Sequence, residues 1–493
     1  MSTHVTTRMD DATHSAGERS NPLGLYAVIG GGLVVVVLGL LSLVLHGVGH
    51  DEHHEPPAMW WLGSLPFVGM LGCIAVLPLV RATHHWWENN LNRLGVAMFF
   101  AALTMVYYLS VRGLGSIATV LNHAILAEYI PFIVLLFCLY VISGGISLTG
   151  DLAARPATNT AFLAMGALIA SFVGTTGASM LLIRPLLQTN SERRHVVHTV
   201  VFFIFLVSNV GGCLLPIGDP PLFLGYLLGV NFLWTLNLWM PWAVTCALLL
   251  VIYYFWDLRA YRRELPRDIR RDETQVTKLS CTGKLNLVWL AGVVLCVALV
   301  KPGEEFLGLG FEAFPFMREL LMLGFVALSL RCTAKSIRTA NRFTYHAILE
   351  VAALFIGIFI CMQPALQILG VMGGSLGIDT PMKFFWVTGG LSAVLDNAPT
   401  YVVFFETAKE VDLPGAEMMP LPNQKPIPIP FLTAISLGAV FLGAMTYIGN
   451  GPNFMVRAIA EKSGVKMPSF FGYMVYSVLV LGPVFALVSW LFF

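Results

Sequence analysis

Charge is what this sequence has least of. Only 12% of its 493 residues are Asp, Glu, Lys or Arg, against roughly 25% in soluble proteins. Hydrophobic residues make up 57%, and the mean hydropathy is +0.76. A water-soluble globular fold is excluded. A net charge of +1 supplies no basic surface and no nucleic-acid motif is present, so nucleic acid is not an expected partner. The eight cysteines fall mostly within apolar runs at no metal-ligand spacing, which reads as packing rather than as disulfides or zinc ligands. No HExxH-type pair sits on a span, so no enzymatic activity, resident metal or cofactor is expected. The polar start of the sequence is not expected to act as a cleavable leader. The first apolar run, at about residues 24–47, has the roughly 20 residues needed to span and stay. Residues 1–23 are polar and are expected to be a disordered cytoplasmic N-terminus.

What is present is a series of apolar runs, near residues 59–80, 93–111, 125–149, 239–256, 285–300, 317–330, 347–369 and 468–493. Four other runs are irregular. Residues 161–190 and 384–407 have small, polar centres, GTTGAS at 174–179 and LDNAPT at 395–400. Both are predicted as re-entrant hairpins. For the first, a straight span with a small-residue packing patch is the alternative. Residues 196–229 and 430–457 are predicted as broken helices. Residues 208–225, SNVGGCLLPIGDPPLFLG, hold four glycines, three prolines and Asp219 inside an apolar run. Helical hydrogen bonding is expected to fail near residues 218–221. Unwound backbone at membrane depth survives only inside protein or against a watery cavity. A carboxylate at such a break is a functional-site candidate, with simple capping of the next helical segment as the alternative.

The break recurs. YIGNGPNFM at 447–455 aligns with PIGDPPLFL at 216–224, matching Ile217, Gly218, Pro221 and Phe223 to Ile448, Gly449, Pro452 and Phe454. Asp219 falls opposite Asn450, 231 residues on; Glu128 and Glu350 stand 222 apart, and Thr175 and Asp396 stand 221 apart. These landmarks divide the chain into an N-terminal half (24–256), a linker (257–284) with eight Lys or Arg, and a C-terminal half (285–493). A Pro-rich loop at 411–430 absorbs the extra residues. Basic residues also crowd the loops near 81–93, 184–194, 331–342 and 457–466, which the positive-inside rule places in the cytoplasm. That agreement holds if each hairpin enters and leaves on one side, the first from the cytoplasm and the second from outside. The expected architecture is an all-α polytopic membrane protein: an inverted repeat of two halves, with about eleven transmembrane helices, two re-entrant hairpins and two broken helices.

Two hairpin tips and two broken helices would meet near mid-membrane. Half-helix N-termini suit anions, whereas unwound carbonyls suit Na⁺. Asp219 and Asp396 are the acids at these breaks. Thr175, Thr176, Ser179, Asn209, Asn397, Thr400, Thr446, Asn450 and Asn453 add neutral oxygens and amides, and Gly218 supplies backbone. Hard oxygen ligands suit Na⁺. Burial and like charge both favour the neutral form of a carboxylate, so a proton and Na⁺ can alternate on the same oxygens, as an antiporter requires. Asp396, with Asn397, alternatively caps the second half of its hairpin. Glu128 and Glu350 either line an ion path or pair with backbone near a helix end. Gly211, Gly212, Gly449 and Gly451 read as sites of close helix contact. An organic-acid carrier calls for positive groups, yet neither motif core has one; Arg184 is the nearest, and reads first as a snorkelling interfacial residue. His46, His50, His53 and His54 read as a solvated loop, with opportunistic metal binding as the alternative.

On SNVGGCLLPIGDPPLFLG, SAVLDNAPTYVVFFE (392–406) and GAMTYIGNGPNFMVRAIAE (443–461), the chain resembles the ion transporter superfamily over roughly residues 60–490. That group includes citrate and dicarboxylate carriers, arsenite permeases and D-type sodium/proton antiporters. The motifs are most similar to the bacterial branch described as sodium:proton antiporters or citrate-transporter-like proteins. The resemblance implies a homodimer in a bacterial inner membrane, surrounded by lipid, each protomer having a scaffold and a mobile transport domain. It implies a site at 175–179, 209–219, 396–400 and 446–453. The dicarboxylate branch carries Ser-Asn-Thr at both hairpin tips; here the tips read TTGAS and LDNAPT. A Na⁺/H⁺ antiporter is therefore the leading expectation. A Na⁺- or H⁺-coupled citrate or dicarboxylate carrier comes second and an arsenite efflux permease third. No cofactor is expected beyond the transported Na⁺ and H⁺.

Overall fold

The computed structural model describes residues 60–493, except 79, 81, 275, 307–309 and 423 and the side chains of 60, 114 and 115. The N-terminal segment 1–23, the first span and the histidines at 46–54 lie outside the described residues. Nearly every described element is a helix, which satisfies backbone polar groups within the segment itself.

Helices α1 (Trp60–Val76) and α2 (Asn90–Arg112) come first. A long rod follows: α3 (Leu114–Leu121), a π-helical stretch (Asn122–Tyr129) and α4 (Ile130–Ser143). The span expected to reach residue 149 therefore stops at Ser143, where Gly144 and Gly145 follow and weaken the helix.

The first hairpin is α5 (Pro156–Val173) and α6 (Thr175–Thr189). One residue, Gly174, turns the chain at φ 79°, a conformation open chiefly to glycine. At the open end Asn159 and Asn190 exchange side-chain amide bonds of 2.8 and 3.0 Å. The chain doubles back at Gly174, and α5 packs on α6.

The first interrupted helix comprises α7 (Val197–Leu206), a 3₁₀ turn (Val210–Cys213) and α8 (Pro220–Leu227). The break expected at residues 218–221 begins earlier, at Val207. Pro220 and Pro221 start α8, where a missing N–H costs nothing. The ladder is lost upstream, where Asn209 Nδ2 takes the Ile204 carbonyl at 2.8 Å.

Helix α9 (Trp239–Tyr261) runs on into what was expected to be linker. The linker itself forms α10 (Pro266–Thr274) and strand β2 (Thr277–Thr282). β2 pairs antiparallel with β1 (Ser147–Asp151), Ser147 opposite Thr282 and Asp151 opposite Thr277. A second small sheet, β3 (Met418–Leu421) with β4 (Gln424–Pro428), occupies the Pro-rich loop. These two-stranded sheets correct the all-α expectation. Both lie in interhelical connections, where short segments pair their backbone groups with each other.

Helices α11 (Leu285–Leu299), α12 (Met317–Cys332) and α13 (His346–Met372) precede a hairpin of α14 (Pro381–Ser392) and α15 (Asn397–Lys409). Then come α16 (Ile429–Leu442), an unwound segment through Asn450, α17 (Gly451–Lys462) and α18 (Phe470–Phe492). α7 and α16 are mostly apolar and buried on nearly every side. α8 packs on α15, and α17 packs on α6. The second part of each interrupted helix thus lies against the hairpin of the other half. At the first contact Gly225 meets Tyr401 so closely that a Cβ there would sit 2.3 Å from the phenol oxygen.

Candidate functional site

The four irregular elements meet at Asp219, which is 1% exposed. Thr175 Oγ1, at the tip of hairpin 1, donates to Asp219 Oδ1 at 2.9 Å. Asn450 Nδ2, at the second break, donates to the same oxygen at 3.0 Å. Asn397 Nδ2, from hairpin 2, donates to Oδ2 at 2.7 Å. Asp219 itself is the N-cap residue of α8, and Asn450 that of α17, while Thr175 and Asn397 begin α6 and α15. Four helix N-termini therefore converge on one carboxylate, and their positive ends favour negative charge there. All three donors are neutral, and no Lys or Arg pairs with Asp219 among the described residues.

Backbone holds the crossing together. The Thr175 amide donates to the Gly218 carbonyl at 2.8 Å, tying hairpin tip to break. A Cβ on Gly218 would lie 2.2 Å from the Gly212 carbonyl oxygen, so only glycine fits.

A second ring of amides joins the two breaks. Asn209 Nδ2 donates to Asn453 Oδ1 at 2.7 Å, and Asn450 Nδ2 reaches Asn209 Oδ1 at 3.3 Å. Asn453 Nδ2 in turn donates to the carbonyls of Gly443 and Thr446, each at 2.9 Å. Thr446 Oγ1 donates to the Ala393 carbonyl at 2.6 Å, linking the second break to the tip of hairpin 2. Ser179 pairs with Ser208 through their hydroxyls at 2.8 Å.

Other expected site residues stand apart. Asp396 is half-buried and accepts from the Ala398 amide at 3.1 Å, the geometry of a helix cap. Thr400 Oγ1 donates back to the Asp396 carbonyl at 2.9 Å, within its own helix. Thr176 is half-buried beside the tip and makes no hydrogen bond to the cluster. Glu128 lies within the π-helical stretch, buried, and accepts from Gln363 Nε2 at 2.8 Å. Glu350 pairs with Arg93 at 2.9 Å. Among the described residues, neither glutamate is hydrogen-bonded to Asp219. Arg184 donates to the Asn341 carbonyl.

Two contributors escape a reading of the sequence. The Ser208 carbonyl accepts from Asn450 Nδ2 at 3.1 Å, and Ser171 bridges the break by donating to the Gly211 carbonyl and accepting from the Leu214 amide. Ser208 adjoins Asn209 in the motif and was within reach; Ser171 sits in an ordinary helical run, with no signal to separate it.

Among the described residues, six helices are long and apolar enough to cross a membrane, including Asn90–Arg112, Ser116–Ser143 and Phe470–Phe492. By length and composition these helices mark an integral membrane protein. A family model described as "Putative citrate transport" matches residues 55–493, and the chain belongs to that family. No curated protein matches the chain.

Proposed function

We propose that the protein is a Na⁺/H⁺ antiporter that works by alternating access. The observation that carries this reading is the buried Asp219 carboxylate, ringed only by neutral donors. Where four helix N-termini meet, the chain supplies its own anion. A transported carboxylate would have to displace or neutralise it, whereas a cation is drawn to it. An Asn side chain presents either its NH₂ or its oxygen at one place by rotating about χ2. With Asn397 and Asn450 turned so, the three donors become three oxygens around a carboxylate, a ligand set suited to Na⁺. Protonation of Asp219 releases the ion, and Asp396, which caps α15 one residue before the Asn397 donor, is proposed as the second acid of the exchange.

The proposed frame is an inverted repeat of about eleven spans, two hairpins and two interrupted helices, with the basic linker cytoplasmic. The N-terminus is cytoplasmic, the membrane is a bacterial inner membrane, and the unit is a homodimer.

A second reading, a Na⁺- or H⁺-coupled citrate carrier, is favoured by the description of the family and by the same convergence of N-termini. Once Asp219 is neutral, those positive ends are left for a substrate carboxylate. Proteoliposomes separate the two. Na⁺-triggered proton efflux without any organic acid supports the antiporter. Uptake of labelled citrate, with no response to Na⁺ alone, replaces it by the carrier.

A further inference from the structure

The linker 257–284 is segregated by sign. Each of its five acids faces the open end of hairpin 1. Asp257 binds Arg193 Nη2 at 2.6 Å and His198 Nε2 at 2.8 Å. Glu264 accepts from the amides of Arg194 and His195, at 3.1 and 2.9 Å. Asp268 pairs with Arg194 at 3.1 Å, and Glu273 with Arg155 at 2.7 Å. Asp272 accepts from the Ala154 amide at 2.9 Å. The strand pair β1–β2 fastens the same edge.

Five of the eight cations turn the other way, while Arg267 pairs with Asp268 at 3.5 Å. Arg259, Arg262, Arg263, Arg270 and Arg271 are exposed, and none makes an ion pair among the described residues. They begin at the last turn of α9, whose exposed Val251 and Phe255 mark where that helix meets lipid. Exposed Leu265 lies among them. A row of unpaired arginines at the end of a lipid-facing helix, with an apolar side chain among them, sits at headgroup depth.

We infer that α10 and the end of α9 form a docking face for anionic phospholipid headgroups of the adjoining leaflet, and that lipid bound there tightens the clasp on hairpin 1. Polybasic segments beside a span are drawn to such headgroups. The headgroups hold the outer face of α10 in place while its inner acids hold the hairpin's open end. The clasp links a lipid-facing surface to an element whose tip touches Asp219. The inference rests on the linker geometry alone and stands whichever ion or acid is carried.

Hydrogen exchange tests it, because the amides of Ala154, Arg194 and His195 are held by linker carboxylates. The full chain is placed in nanodiscs of phosphatidylcholine, with or without about 30 mol % phosphatidylglycerol. Exchange in peptides covering 152–156 and 192–196 is expected to slow roughly fivefold or more with the anionic lipid, about what one surface-bound cation contributes. The variant R262Q/R263Q/R270Q/R271Q, altered only at exposed positions, should fold, elute as wild type and lose that response. Equal exchange in both lipids, or a response retained by the variant, overturns the inference. Slowing produced in phosphatidylcholine by soluble polyphosphate alone would assign the face to a free polyanion and overturn the lipid assignment.

Discussion

Thr175 and Asn450 share one oxygen of Asp219, at 2.9 and 3.0 Å, although 275 residues of chain separate them. Hairpin 1 and the second interrupted helix are thereby closed on a single atom, and Asn397 holds the other oxygen at 2.7 Å. Any movement of either hairpin tip changes how well that carboxylate is satisfied.

Removing one donor should weaken the ring without dissolving it. Thr175→Val, Asn397→Ala and Asn450→Ala each remove one oxygen of the proposed ligand set and are expected to raise the Na⁺ concentration for half-maximal exchange at least about tenfold, taking one such contact to be worth a hydrogen bond to a charged group, roughly 1.5–3 kcal/mol. Thr175→Ser keeps the hydroxyl and should stay near wild type. Titration of the exchange rate with NaCl, on protein that elutes normally from gel filtration, reads the effect.

Glycines at the crossing are expected to differ in what they tolerate. Gly174 has space around it but sits at φ 79°. Gly174→Ala should cost roughly 1–3 kcal/mol. At Gly218 the obstacle is backbone, the Gly212 carbonyl 2.2 Å from a new Cβ. Gly218→Ala should therefore lower the melting temperature in detergent by clearly more than Gly174→Ala. Equal shifts would mean that the break relaxes freely.

How much of this was legible in the chain depends on what kind of signal carried it. Asp219, Asn397 and Asn450 stood out because polar residues beside Gly and Pro inside apolar runs have few structural reasons to be there. Thr175 was marked by the small, polar tip around it. The end of the first break, at Gly218 and Asp219, was legible and its start at Val207 was not, because Pro220 and Pro221 read as breakers although they open a helix. The clasp of Asp257 on Arg193 and His198 was not legible: its partners lie 64 and 59 residues away in ordinary loop and helix sequence. Which of several basic and acidic residues pair is fixed by tertiary packing, which no local pattern encodes.

That clasp yields a stability prediction. Asp257 and Arg193 are both buried. Asp257→Ala strands Arg193 away from water and should cost roughly 3–5 kcal/mol. The pair Arg193→Met with Asp257→Leu removes both charges and should recover much of the loss. Thermal unfolding of the single and double variants makes the comparison.

Asp272 supplies a pH-dependent test outside the membrane-spanning segments. Burial raises its carboxyl above the ordinary aspartate range, and the Ala154 amide partly opposes that. A carboxyl raised on folding binds its proton more readily in the folded state, so its contribution to stability falls as pH climbs from the unfolded value toward the folded one. Asp272→Asn retains an acceptor for Ala154 and removes the charge. It is expected to melt at or above wild type at neutral pH, with the difference vanishing below about pH 4, where both states are protonated. A variant that melts lower at neutral pH would show that the charge itself strengthens the clasp.

The central claim is that Asp219 carries the exchanged ion. Its most direct test is dequenching of a pH-reporting dye in everted vesicles on addition of NaCl, then LiCl, then citrate, for wild type and Asp219→Asn. The asparagine keeps the shape of the side chain and loses the charge. Na⁺-triggered proton efflux in the wild type, absent in the variant at equal expression, is the predicted result. Efflux that persists in Asp219→Asn, or a wild type that responds to citrate and not to Na⁺, would contradict it.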